Sequence, residues 1–194
     1  NHEQKYYYWV RSHSYKTDIE KAARLIYLNK TCYNGLYREN SKGEFNVPIG
    51  RYKNPNICQP DLLRSVSSVL KPAQIHVRKF DRVLDFANSS EDFVYFDPPY
   101  YPIGSTSNFT AYSRENFKES EQIQLRDVFA EFTERSVKVI QSNSQCAFIE
   151  KLYSDEAVFK VDRLPKIRQI SASRGINSNA CKRGKIGEFL IISV

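Results

Sequence analysis

The chain has 194 residues, 41% of them hydrophobic and 26% charged, with a formal net charge of +7. That describes a soluble globular protein with one sizeable core, or a core plus a small appendage. No apolar run approaches the roughly 20 residues a bilayer demands, so no membrane-spanning helix is expected, and with the polar start Asn1-His2-Glu3-Gln4-Lys5 no signal peptide is expected. The four cysteines (Cys32, Cys58, Cys146, Cys181) form no CxxC pair, so free thiols in a reducing cytoplasm are expected and no metal site is. Residues 1–60 carry ten Lys/Arg against five Asp/Glu, the balance of a polyanion-binding region ahead of a nearly neutral body. Methionine is absent altogether and the aromatic cluster Tyr6-Tyr7-Tyr8-Trp9 follows the start with no capping residue. This opening predicts a fragment or a processed product of a longer chain.

Residues 18–30 predict a helix with Asp18 as N-cap and Ile19, Ala22, Ala23, Ile26 and Tyr27 on one face. Asn34-Gly35 between strand formers predicts a hairpin, because a type I′ turn needs positive φ at both central positions. Residues 43–52 place Phe45, Val47 and Ile49 on one face at period two, and Pro48 makes that run an edge strand or extended loop. A helix is predicted over 61–70, ended by Lys71-Pro72, then a short strand over 75–77 and a helical turn over 80–88. Residues 93–96 read as a buried strand, 101–114 as a long polar loop, and 115–135 as an amphipathic helix built on Ile123, Leu125, Val128, Phe129 and Phe132. Strand 137–141, helix 147–153, strand 158–161, a basic loop and a final strand from Gly187 to Val194 complete the series. Alternation of strands and helices from residue 61 predicts an α/β sheet.

Strand 93–96 runs straight into Asp97-Pro98-Pro99-Tyr100, the signature of enzymes that methylate an exocyclic amino nitrogen. A given tetrapeptide arises by chance in a chain this long on the order of once in a thousand sequences. The chemistry suits the residues. Such an amine is a poor nucleophile because its lone pair is delocalised into a ring, and a carboxylate and a backbone carbonyl can both accept from its N–H groups and return density to nitrogen. Pro98 and Pro99 fix φ and remove two donors, and Tyr100 offers a flat face for a base taken out of its helix. A strand ending in a Pro-rich turn is the alternative.

Tyr33-Asn34-Gly35-Leu36-Tyr37-Arg38, residues 43–52, Asp97-Pro98-Pro99-Tyr100 and Asn108-Phe109-Thr110-Ala111-Tyr112 follow one another in this order. Together they resemble the Dam-type (D12 class) DNA adenine-N6 methyltransferases, over residues 18–194. The resemblance implies a Rossmann-like S-adenosylmethionine-dependent methyltransferase sheet, present in part over 61–194, and a helical and β-hairpin target-recognition domain over 1–60. It implies transfer of methyl from S-adenosylmethionine to N6 of an adenine flipped from double-stranded DNA. No metal is called for, since the leaving group is a neutral thioether. By resemblance Asp97 and the Pro98 carbonyl hold and polarise the amine, within the loop completed by Pro99, and Tyr100 stacks on the adenine. Tyr33 and Asn34 occupy the positions that intrude beside the flipped base, with hairpin packing as the alternative for Tyr33. Leu36 and Arg38 match positions that read flanking base edges, Arg38 with the geometry for guanine O6 and N7. Pro48 and Arg51 match positions near outer base pairs and backbone; for both arginines a phosphate contact or a solvated side chain is the alternative. Tyr112 is either a contact to the flipped base or an anchored aromatic in a surface loop. The basic tip within 174–185 is either a phosphate contact or a solvated turn. A GATC-type site, a monomer, a bacterial or phage origin and a cytoplasmic location are further implications.

One departure stands out. The full-length family begins with a strand and a Phe-x-Gly-x-Gly turn that cradles the methionine part of the cofactor, and no GxG occurs in these 194 residues. About 80 residues are expected ahead of Asn1, by the usual size of a complete domain. Of the cofactor contacts, Asp97 and Phe80 remain, the latter matching the region that lines the adenine ring or else serving as core. The chain in isolation is expected to have weak activity or none. Two other readings stay open: a non-catalytic DNA-binding module, and an N-methyltransferase acting on RNA or protein glutamine.

Overall fold

The computed structural model describes residues 2–103, 117–173 and 185–194. The chain forms two compact units, Asn1–His76 and Val77–Val194.

The first unit opens with helix α1 (Gln4–Ser12), which no start signal announces in the sequence. Aromatic residues lose side-chain freedom in helices, yet here Tyr7 and Val10 are buried and the Tyr7 hydroxyl donates to the Val47 carbonyl at 2.9 Å. Burial overrides propensity. Helix α2 (Asp18–Thr31) is capped by Thr17, not Asp18: the Thr17 hydroxyl accepts from the Glu20 N–H, and Glu20 accepts from the Thr17 N–H in return. Arg24 of α2 donates to the Val10 and Arg11 carbonyls at the end of α1, satisfying acceptors that a helix C-terminus leaves open. Leu28 and Cys32 join Tyr7, Val10, Phe45 and Val47 in this unit's core.

The predicted turn at Asn34-Gly35 exists, with φ of 54° and 61° and the Leu36 N–H bonded to the Tyr33 carbonyl. The residues flanking it do not pair with each other. Instead Cys32 bridges to Ile49 and Glu39 to Phe45, so the ribbon reverses at residues 40–44, where the Asn40 N–H donates to the Glu44 carbonyl and Gly43 takes φ 75°. Asn34-Gly35 is a corner on the outgoing arm, pinned by the Asn29 side chain donating to the Gly35 carbonyl at 2.9 Å. Helix α3 (Pro60–Leu70) starts with proline in its first turn, where the missing N–H costs nothing. It buries none of its residues. The strand expected over 75–77 is absent; Ile75 and Val77 are exposed, and an extended segment without a paired neighbour is no strand.

In the second unit the turn Phe80–Asp85 leads to β1 (Phe93–Phe96), α4 (Glu119–Glu134), β2 (Lys138–Ser144), α5 (Ala147–Tyr153), β3 (Lys166–Ser173) and β4 (Lys185–Ile192). The sheet order is β1-β2-β4-β3, with β1 parallel to β2 and the other two pairings antiparallel. The parallel pair needs a crossover, and α4 supplies it. Leu125, Val128, Phe129 and Phe132 of α4 are buried with Val94, Phe96, Val139, Ile149, Phe189 and Ile191, whereas Ile123 faces out. Two expectations fail here. Residues 158–161 form a turn and the start of a short 3-10 helix rather than a strand, because the Val158 and Phe159 N–H groups both bond to the Asp155 carbonyl. The basic stretch after them contains β3. The result is a mixed α/β unit with a four-stranded mixed sheet. Among the described residues, no helix is long and apolar enough to cross a membrane.

Candidate active site

Asp97 leaves β1 at its carboxyl end, beside the end of its parallel neighbour β2. Ligands of open α/β sheets gather at such ends. The register pairs Phe96 with Gln141, so Phe96 and Gln141 share the core face while Asp97 and Ser142 follow on the other. The Ser142 hydroxyl donates to Asp97 Oδ1 at 3.0 Å. Ser142 is buried and Asp97 exposed, so the carboxylate is held from behind and open in front.

The rest of the loop is tied at every residue but one. The Pro99 carbonyl accepts from Gln122 Nε2 of α4 at 3.0 Å. The Tyr101 N–H donates to Asn143 Oδ1 at 3.2 Å and the Tyr101 carbonyl accepts from Ser144 Oγ at 2.6 Å. The Tyr101 ring lies 4.5 Å from that of Phe148, and its hydroxyl donates to Glu119 at 2.7 Å. The half-buried Tyr100 donates its hydroxyl to Glu188 Oε2 of β4 at 3.2 Å. Burial pushes the Tyr100 phenol above the usual tyrosine range; the charges of Glu188 and Asp97 add to this, and a bond with Ser142 partly offsets it. The ring is therefore neutral at ordinary pH. Among the described residues no donor reaches the Pro98 carbonyl. A carboxylate and a carbonyl thus remain as acceptors on one short loop, next to an aromatic ring with a fixed hydroxyl. Such a pair suits an amino group with two N–H donors.

Phe80 is half-buried, packed against the core, with its ring 5.7 Å from that of Phe117 in an edge-to-face arrangement. It serves the core and leaves part of its ring exposed. In the first unit, Tyr33 and Arg38 are exposed on the ribbon, and Pro48 and Arg51 are exposed on its return arm and just beyond it. Asn34 is half-buried in the left-handed turn. Leu36 is half-buried against the unit's core. Arg38 Nε donates to Asn46 Oδ1 at 2.7 Å across the ribbon, which stiffens the guanidinium and leaves donors for a further partner. Tyr112 lies outside the described residues, as do residues 108–111 and 174–184.

Sequence reading missed Gln122, Ser142, Asn143 and Glu188. Gln122 carried a signal: it stands three residues before Leu125 and seven before Phe129, a polar residue on the apolar stripe of a helix. Asn143 and Ser144 continue an apolar strand as a polar run, which marks the end of a core strand turning towards a site.

The family model for D12 class N6 adenine-specific DNA methyltransferases matches residues 1–167. The chain is 41% identical over 195 residues to the type II methyltransferase M.MjaIII of Methanocaldococcus jannaschii, covering 97% of this chain and 64% of the relative. It is 40% identical over 177 residues to the type II methyltransferase M1.LlaDCHI of Lactococcus lactis subsp. cremoris, covering 90% of this chain and 59% of the relative. Against the DNA adenine methylase of Escherichia coli (strain K12) the identity is 31% over 188 residues, 96% of this chain and 64% of the relative. The chain spans about three fifths of the length of these relatives. With its loop at the end of β1 and the family model across most of its length, the chain belongs to the D12 class N6 adenine-specific DNA methyltransferases.

Proposed function

We propose that this chain is the recognition and catalytic-loop part of a site-specific DNA methyltransferase, which moves a methyl group from S-adenosylmethionine to N6 of adenine in a GATC-type duplex site. The observation that carries the reading is the pair of open acceptors, the Asp97 carboxylate and the Pro98 carbonyl, on a loop tied down at Pro99, Tyr100 and Tyr101. S-adenosylmethionine supplies a methyl carbon on a sulfonium centre. Asp97 and the Pro98 carbonyl accept the two amine N–H bonds and localise the lone pair on nitrogen, and Tyr100 holds the flipped adenine by stacking. The amine nitrogen so held would be placed for in-line attack on that carbon, and its surplus proton would leave past Asp97 to solvent.

The chain's own residues fit the cofactor in part. Asp97 and the exposed edge of Phe80 can face it; no glycine-rich turn is present to cradle its methionine end. We place that turn in an N-terminal segment. The reading is supported by β1, which among the described strands pairs on one side only and leaves Phe93 and Tyr95 60% and 54% exposed, and by the uncovered apolar side of α3, where Leu62, Val66 and Val69 are exposed. The basic first unit and its ribbon are the proposed duplex-reading element, with Tyr33, Asn34, Leu36, Arg38, Pro48 and Arg51 as contacts, and Tyr112 is by resemblance a further proposed contact to DNA. The protein acts as a monomer in the cytoplasm.

The test is labelled methyl transfer by the chain, alone and supplied with a segment bearing the glycine-rich turn. Substrates are a GATC duplex, a scrambled duplex and single-stranded RNA. GATC-dependent label that disappears in Asp97→Ala supports the proposal. Retention of the GATC duplex without transfer in either format selects a binding module, and label on RNA alone selects the third reading.

A further inference from the structure

We infer that Gln122 and Asn143 are positioning residues that form a buried amide relay and set the geometry of the catalytic loop. The inference rests on the reading of that loop as the methyl-transfer site. Both side chains are fully buried, at 0% exposure. Their chemistry dictates their orientation. The Pro99 carbonyl can only accept, so Gln122 must present Nε2 to it, at 3.0 Å. Gln122 Oε1 is then left to accept, and Asn143 Nδ2 donates to it at 2.9 Å. That leaves Asn143 Oδ1, which accepts from the N–H groups of Tyr101 at 3.2 Å and of Ser144 at 2.8 Å. Each link fixes the next, and any amide flip would set donor against donor.

The relay therefore grips the loop on both sides of Tyr100. One end holds the Pro99 carbonyl and the other the Tyr101 N–H, directly after a stretch where Pro98 and Pro99 contribute no N–H of their own. With the Pro99 peptide plane held inwards, the preceding carbonyl, that of Pro98, is the one left for an amine. The relay also explains why a polar residue sits on the apolar stripe of α4. Buried amides are costly unless satisfied, and here the Gln122 side chain uses its carbonyl oxygen and one N–H for a single purpose. Acids of the same size do not substitute: Gln122→Glu loses the donor to Pro99, and Asn143→Asp loses the donor to Gln122.

The test pairs two measurements on Gln122→Glu, Gln122→Leu and Asn143→Ala. The first is native-state hydrogen exchange of the chain, followed at the Tyr101 amide and at the amides of β2, β4 and α4. The second is steady-state methyl transfer to the GATC duplex with the N-terminal segment supplied. The relay predicts Tyr101 exchange at least about tenfold faster with strand and helix amides unchanged. It predicts kcat lower by about 10- to 100-fold, the scale of a misplacement near 1 Å, with KM for DNA within about threefold. Unchanged Tyr101 exchange, or kcat within twofold of the parent, overturns it, and so does a uniform rise in exchange across the second unit, the mark of a merely structural role. A parent that transfers no methyl even when supplied, with Tyr101 exchange responding as stated, refutes the catalytic reading while the clamp on the loop stands.

Discussion

Among the described residues one hydroxyl holds Asp97, that of Ser142 at 3.0 Å. Removing it in Ser142→Ala leaves the carboxylate free to swing, and a loss of about tenfold in kcat is expected, the equivalent of ~1.4 kcal/mol, with little change in DNA affinity; steady-state kinetics checks it. Tyr100 separates its two functions more cleanly. Tyr100→Phe keeps the ring and loses the hydroxyl with its bonds to Glu188 and Ser142, so flipping of the target base, read by 2-aminopurine fluorescence, should stay near the parent level. Tyr100→Ala should lose roughly 1–3 kcal/mol of stacking and most of that signal. At this scale the proposed site residues Asp97, Pro98, Pro99 and Tyr100 stand out in the sequence, because adjacent residues with one joint chemistry form a motif. Ser142, Asn143, Glu188 and Gln122 do not, since they reach the loop from three other elements; contact between residues 20 to 90 positions apart leaves no local pattern.

Elements with strong periodicity or strong punctuation were legible: α2, α4, α5, β1 and the proline-started α3. The misses have physical causes. Helix α1 is rich in tyrosine and lacks a side-chain cap, so nothing local announces it, and its stability comes from burying Tyr7. Strand β3 lies at the sheet edge with Lys166 and Arg168 exposed, and edge strands carry such charges against unwanted pairing, which hides them among basic loops. The Asn34-Gly35 turn was legible and its hairpin was not, since turn chemistry fixes φ locally while pairing is decided by Phe45 and Val47 entering the core. Two outcomes follow for the first unit. Thr17→Ala removes the capping box of α2 and should cost about 1 kcal/mol. Gly35→Ala forces a Cβ into φ 61° and should cost about 1–2 kcal/mol. Urea denaturation monitored by Trp9, the chain's one tryptophan, reads both.

Among the described residues each unit carries one fully buried phenol, Tyr7 in the first and Tyr153 in the second, and burial raises both well above the usual tyrosine value. Above pH of about 10 the unfolded chain loses these protons first. The folded state then binds more protons than the unfolded one, so stability present below that pH is lost as pH rises towards the folded values. Denaturant midpoints should fall between pH 9 and 11 in both units, and Tyr153→Phe should flatten the fall in the second unit alone; a flat profile in the parent would contradict the burial of these phenols. Charge and alternation predict a recognition domain over 1–60 and a catalytic domain over 61–194, and the chain forms compact units over Asn1–His76 and Val77–Val194; α3 and the residues after it bury too little to mark a boundary in the sequence. In the proposed function Asp97 directs methyl to the exocyclic nitrogen of adenine. The most direct test is nucleoside analysis of a GATC duplex after incubation with labelled S-adenosylmethionine, the chain and its N-terminal segment. N6-methyladenine from the parent and none from Asp97→Ala is the predicted result; label on another nucleoside, or N6-methyladenine persisting in Asp97→Ala, would contradict it.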